Sequence, residues 1–127
     1  MNTVKPAAEL LGQLAEAMRP AVTPDTVLVG IYTGGVWIAE WLRDVLGVKA
    51  AVGSIDVSYH RDDHHLGGGR GGGKASQLRF DVEGAHVVIV DDVLATGRTI
   101  RAAMNELFDY GRPARIDLAV LVDRGGR

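Results

Sequence analysis

The run HVVIVDDVLATGRT, residues 86–99, constrains this 127-residue chain more than any other stretch. His86 to Val90 is apolar and β-branched apart from His86, and so predicts a short buried strand. Two adjacent carboxylates follow, Asp91 and Asp92, then Val93, Leu94 and Ala95, and then Thr96, Gly97, Arg98 and Thr99. From about Arg98 the pattern turns helical. The loop therefore sits at the carboxyl end of a strand and at the amino end of a helix. Ligands of open α/β sheets bind at such places. The N–H groups that open a helix have no intrahelical partner and hold phosphate.

The residue types of the loop divide the work. Thr96, Gly97 and Thr99 offer hydroxyls, small volume and close backbone approach, which suit a phosphate. Asp91 and Asp92 cannot face the phosphate itself. They suit ribose hydroxyls, or the waters of a hard divalent cation such as Mg²⁺, which prefers oxygen ligands. A sugar phosphate satisfies both halves. An ordinary surface turn with an Asp cap accounts for a lone DD or a lone TG. It does not account for the whole run directly after a buried strand.

Length and composition set the frame. The chain is long enough for one domain with a core. With 46% apolar residues and a net charge of −2, it is neither disordered nor a general polyanion binder, although a local basic patch stays open. There is no cysteine, so disulfides and thiolate metal sites are excluded. No apolar run approaches the ~18 residues of a membrane span. The first residues lack the apolar core of a signal peptide. A soluble, cytoplasmic protein is the expectation.

Residues 6–19 place Ala7, Leu10, Leu11, Leu14, Ala17 and Met18 on one helical face, with Pro6 suited to the first turn. Thr26 to Ile31 predicts a second buried strand, ending in Tyr32-Thr33-Gly34-Gly35. Val36, Ile38, Ala39, Trp41, Leu42 and Val45 then continue as a helix, which repeats the central design. The glycine pair allows backbone N–H groups to face an anion, and serves equally well as a tight strand-to-helix turn. Trp37 and Trp41, four apart, read as core or subunit contact rather than as a platform for stacking bases. Ala51 to Tyr59 alternates as a strand does. Ile100 to Tyr110 is an amphipathic helix that Gly111 ends, and Arg115 to Val122 is a further strand. The order of elements predicts an α/β fold with a largely parallel sheet flanked by helices.

Residues 60–77, HRDDHHLGGGRGGGKASQ, hold six glycines in eight residues and do not form regular structure cheaply. GGRGGGKA nearly spells a phosphate-binding loop, but Ala75 replaces the required hydroxyl and no strand precedes it. His60, Asp62, Asp63, His64 and His65 have the composition of a metal cluster, and a solvated loop explains them more simply. An RGG-like RNA segment is conceivable but short.

The thirteen residues VVIVDDVLATGRT resemble the phosphoribosyl pyrophosphate (PRPP) signature of type I phosphoribosyltransferases. The continuation RAAMNELFDYGRPARIDLAVLVDRG, with IDVSYHRDD (55–63) and LVGIYTGG (28–35), resembles one branch in particular. That branch is the PyrR family, pyrimidine-operon regulators with uracil phosphoribosyltransferase activity. The resemblance covers roughly residues 6–127. It implies the type I phosphoribosyltransferase fold and the reaction of uracil with PRPP to give UMP and diphosphate, with Mg²⁺ carried on PRPP and no direct protein ligand to the metal. It implies PRPP contacts from Val87, Val88, Ile89, Val90, Asp91, Asp92, Val93, Leu94, Ala95, Thr96, Gly97, Arg98 and Thr99, with Asp91 and Asp92 catalytic. Thr33, Gly34 and Gly35 would form the pyrophosphate loop, and Arg61, Arg70 and Lys74 would reach the pyrophosphate from a mobile loop.

The resemblance further implies uridine nucleotides (UMP, UTP) as ligands, pyrimidine-operon mRNA as a partner and a homo-oligomer. Arg101, Arg124 and Arg127 would contribute to RNA contact. Two departures stand out. Better-known members carry Lys and Arg where this chain has Tyr32 and Gly34, so two cationic contacts are missing. At Gly126 the family more often has His. The resemblance also places most of a base-holding hood beyond the strand that ends near Val122, so the 127 residues are expected to lack the C-terminal part of a longer protein. A purine or orotate phosphoribosyltransferase, and a catalytically weak nucleotide-sensing RNA-binding regulator, are the alternatives.

Overall fold

Residues 7–31, 34–57, 76–94 and 97–123 are described by the structure, a computed structural model. In chain order the elements are α1 (Ala7–Met18), β1 (Val27–Ile31), α2 (Gly34–Leu46), β2 (Gly53–Ile55), β3 (His86–Leu94), α3 (Gly97–Phe108) and β4 (Arg115–Asp123). The strands form one sheet in the order β2-β1-β3-β4, and every pairing within it is parallel. The expected α/β architecture is the observed one.

Strands buried on both faces have to be apolar on both, which is why VLVGI and VVIV carry no alternation of polarity. Their side chains nonetheless alternate between two cores. Leu28, Val88 and Val90 meet Leu11 and Ala15 of α1 and Ile38, Ala39 and Leu42 of α2. Val27, Val29, Ile31, Val87 and Ile89 meet Ala103 and Leu107 of α3 on the other face. Each fully buried side chain of this kind contributes ~1.5–3 kcal/mol.

The structure differs from the sequence reading in three places. β3 does not stop at Val90 but runs on to Leu94, because β4 pairs with it as far as Leu94↔Asp123. β2 is three residues long rather than nine: β1 ends at Ile31, so there is no partner beyond Ile31↔Ile55. Tyr59 lies outside the described residues. On α1 it is Ala15 that is buried, whereas Ala17 faces solvent. Trp41 packs against the α1–α2 core, whereas Trp37 is 53% exposed, so of the two readings, core or subunit contact, core applies to Trp41 and Trp37 is left with the second.

The chain re-enters the sheet region at residue 76. Gln77 makes an antiparallel bridge to Ser54, with both N–H···O bonds at 2.9 Å. The Ser76 hydroxyl donates to the buried Glu106 carboxylate on α3 at 2.9 Å. These bonds fix residues 76–77 against the β2 edge and α3.

Candidate functional site

β1 and β3 lie side by side at the centre of the sheet, and each leads into a helix at its carboxyl end. The last pair between them is Gly30↔Val90. Beyond it β3 continues for four residues, held by β4 only. The amino end of α2 lies against the start of this stretch, at Val90, Asp91 and Asp92. Three glycines make this approach possible. A Cβ on Gly30 would stand 2.5 Å from the Val36 Cα and 2.6 Å from the Gly35 carbonyl oxygen. A Cβ on Gly35 would collide with the Val90 carbonyl, and one on Gly34 with the Asp92 carboxylate. The glycines that the sequence reading assigned to an anion loop are thus also needed to seat α2 on β3.

The paired carboxylates belong to the strand rather than to the loop after it. Strand alternation therefore separates them. Asp92 follows Val88 and Val90 onto the α2 face, where its carboxylate lies against Gly34. Asp91 follows Val87 and Ile89 toward the α3 face. Asp91 is 7% exposed, and its Oδ1 accepts the Asp92 backbone N–H at 2.9 Å. One carboxylate thus stands beside the start of α2 and the other on the side of α3, whose first residue is Gly97. Both helices point their positive ends at this crevice, which favours an anionic ligand between them.

Of the other expected site residues, Val87 to Val90 are buried core, so their part in a ligand site is confined to the backbone and to the shape of the strand end. Val93 and Leu94 continue β3, and Gly97, Arg98 and Thr99 form the first turn of α3. Arg101 is exposed on α3. Thr33, Ala95, Thr96, Arg61, Arg70, Lys74, Arg124 and Arg127 lie outside the described residues, as does the His60–His65 group. Among the described residues, no three His, Cys, Asp or Glu side chains are grouped to hold a metal ion. Asp91 and Asp92 are the residues that would lie near a divalent cation carried on a ligand's oxygens.

At the opposite end of the sheet the sequence reading missed a polar network. The Asp117 carboxylate accepts from His86 Nε2 at 2.7 Å and from Arg115 Nε at 2.9 Å. His86 Nδ1 and the Thr26 hydroxyl are hydrogen-bonded at 3.1 Å, and Thr26 Oγ1 accepts the Thr23 N–H at 3.0 Å. The bond from His86, followed by the nearby Arg115 charge, holds the Asp117 carboxyl below its ordinary value of 3.8. A Thr–His–Asp chain resembles a nucleophilic triad, but Thr26 is 1% exposed and no substrate reaches it. The network ties the amino ends of β1, β3 and β4 together. The only signal for it is the β3–β4 register, which the sequence does not display.

Comparison with known proteins agrees with this geometry. A family model described as "Phosphoribosyl transferase domain" matches residues 2–127. Among solved structures, a purine phosphoribosyltransferase from Pyrococcus horikoshii superposes with a TM-score of 0.68 at 28% identity, covering 92% of this chain and 72% of its own. A hypoxanthine-guanine-xanthine phosphoribosyltransferase superposes at 0.64 with 22% identity, covering 95% and 65%, and speaks for the fold alone. The class is that of the phosphoribosyltransferases. The "Bifunctional protein PyrR" of Pseudomonas fluorescens is 48% identical over 120 residues, 91% of this chain and 71% of its own. Its counterpart from Pseudomonas paraeruginosa is 47% identical over 124 residues, 94% and 73%. The chain belongs to the PyrR family of type I phosphoribosyltransferases.

Proposed function

We propose that the chain transfers the phosphoribosyl group of PRPP to uracil, giving UMP and diphosphate, and that the same crevice senses uridine nucleotides for control of pyrimidine-operon mRNA. The observation that carries this reading is the identity of 48% with proteins named bifunctional PyrR over 91% of the chain. The arrangement at the ends of β1 and β3 supports it: each strand end leads into a helix start, with Asp92 on the α2 face and Asp91 on the α3 face.

Breaking the bond at the anomeric carbon builds positive charge on the ribose. Asp91 and Asp92 position the ribose hydroxyls and stabilise that charge, from opposite sides of the strand end. The first turn of α3 and the Thr96 and Thr99 hydroxyls hold the 5′-phosphate, and the Thr33–Gly35 loop faces the pyrophosphate. Arg61, Arg70 and Lys74 supply the cations that Tyr32 and Gly34 do not. Asp91 and Asp92 would lie near Mg²⁺ brought in with PRPP, which would supply positive charge against the leaving group. The reaction is a direct displacement governed by positioning and electrostatics. The active species is a homo-oligomer, and Arg101, Arg124 and Arg127 contribute to the RNA-binding face.

Transfer assays with uracil, hypoxanthine, adenine and orotate test the reading. Uracil is expected to be the preferred acceptor. A preference for hypoxanthine would instead place the chain with the purine enzymes, as the 28% identity to the Pyrococcus protein allows.

A further inference from the structure

The contact between Asp92 and Gly34 bears on how the crevice admits pyrophosphate. Asp92 is on the α2 side of β3, and its carboxylate occupies the space where a Cβ of residue 34 would be. Gly34 is the first residue of α2, a thirteen-residue helix. The positive end of a helix attracts whatever anion is nearest to it. In this structure that anion is a side chain of the protein itself. The same helix end is the one that the proposed function assigns to pyrophosphate. A second anion arriving there meets a carboxylate already in place.

Resting on the proposed phosphoribosyl site, we infer that Asp92 is an internal placeholder for pyrophosphate at the start of α2, and that Gly34 is glycine because the placeholder needs its space. Asp92 therefore has two positions. In one, the position seen here, its carboxylate lies against Gly34. In the other it leaves the helix end for the ribose, as the diphosphate takes its place with Mg²⁺. The device makes tight binding of bare pyrophosphate, the product, depend on a divalent cation. Asp92 thus opposes product binding as well as serving catalysis.

The inference separates two effects that a merely structural aspartate would not separate. Asp92→Asn keeps the shape and removes the charge. Bare pyrophosphate, titrated calorimetrically without divalent cations, is expected to bind Asp92→Asn about 5-fold more tightly than wild type, the scale of one charge at a helix end. The gap should narrow when Mg²⁺ is saturating, because the metal then offsets the charge. Turnover of PRPP should fall in the same variant. Asp92→Ser, which shortens the side chain away from Gly34, should bind bare pyrophosphate more tightly too, so the outcome does not hang on one variant. Equal or weaker binding of bare pyrophosphate in both variants, while wild type converts PRPP and uracil to UMP, overturns the placeholder and leaves the proposed function standing. Failure of wild type both to bind pyrophosphate with Mg²⁺ and to turn over PRPP with any base overturns the two together.

Discussion

At the scale of the residue, the two carboxylates at the end of β3 carry the chemistry. Asp91 is buried and accepts the Asp92 N–H, an acceptor role that an amide oxygen keeps. Asp91→Asn should therefore fold as wild type does while PRPP turnover falls by more than ~10-fold, since one lost transition-state contact is worth at least ~1.4 kcal/mol. A wild-type rate at saturating Mg²⁺ would remove Asp91 from the mechanism. Asp117 is the contrasting case, a carboxylate at the other end of the sheet with a structural task. Its pKa is lowered by the His86 hydrogen bond first and by Arg115 besides, so its stabilisation is fully present above the ordinary value of 3.8 and is lost as pH falls through the lower, folded value. Asp117→Asn should lower stability at pH 6 by up to ~1 kcal/mol, the range for part-exposed pairs. The deficit should vanish in urea titrations well below pH 3.8, and a deficit independent of pH would show that packing rather than charge is at work there.

At the scale of the element, the seating of α2 on the strand ends decides the site. The approach is close because Gly30 and Gly35 present no side chain to each other's backbone or to Val90. Gly30→Ala forces Val36 and Gly35 outward and should cost ~1–3 kcal/mol in urea unfolding, the usual penalty for overpacking. Gly12 on α1 is the internal control, because a Cβ there meets nothing within 4 Å. Gly12→Ala removes a glycine from a helix and should stabilise by ~0.5–1 kcal/mol. If both substitutions prove neutral, the contact between β1 and α2 is looser than this geometry requires. The register of β3 is part of the same story. Because β4 holds β3 to Leu94, Asp91 and Asp92 are fixed in extended backbone and their side chains diverge.

At the scale of the whole molecule, the two cores on either side of one parallel sheet form the platform, and ligand binding should be felt across it. Any ligand that binds only the folded chain adds stability, ~2.7 kcal/mol at a hundredfold excess over its dissociation constant. PRPP with Mg²⁺ should raise the urea midpoint by a matching amount, and Mg²⁺ given alone should do little, since the described residues hold no ready cluster for it. An unchanged midpoint with PRPP would mean that the crevice does not take a phosphoribosyl ligand.

The sequence by itself determined what depends on local periodicity. The apolar runs at residues 26–31 and 86–90 pointed to buried strands, the helical faces after Gly35 and Gly97 followed from spacing, and their order argued for a largely parallel sheet flanked by helices. The place of the site followed too, because a strand end, small residues and a helix start are neighbours along the chain. Only the tertiary structure decided what depends on register and on approach between segments distant in sequence. The length of β3 was set by β4, and with it the face each aspartate takes. The contact of Gly34 with Asp92, and that of His86 with Asp117, join residues 58 and 31 positions apart. Their energies come from packing and hydrogen bonding across the sheet, which no periodicity of a single segment encodes.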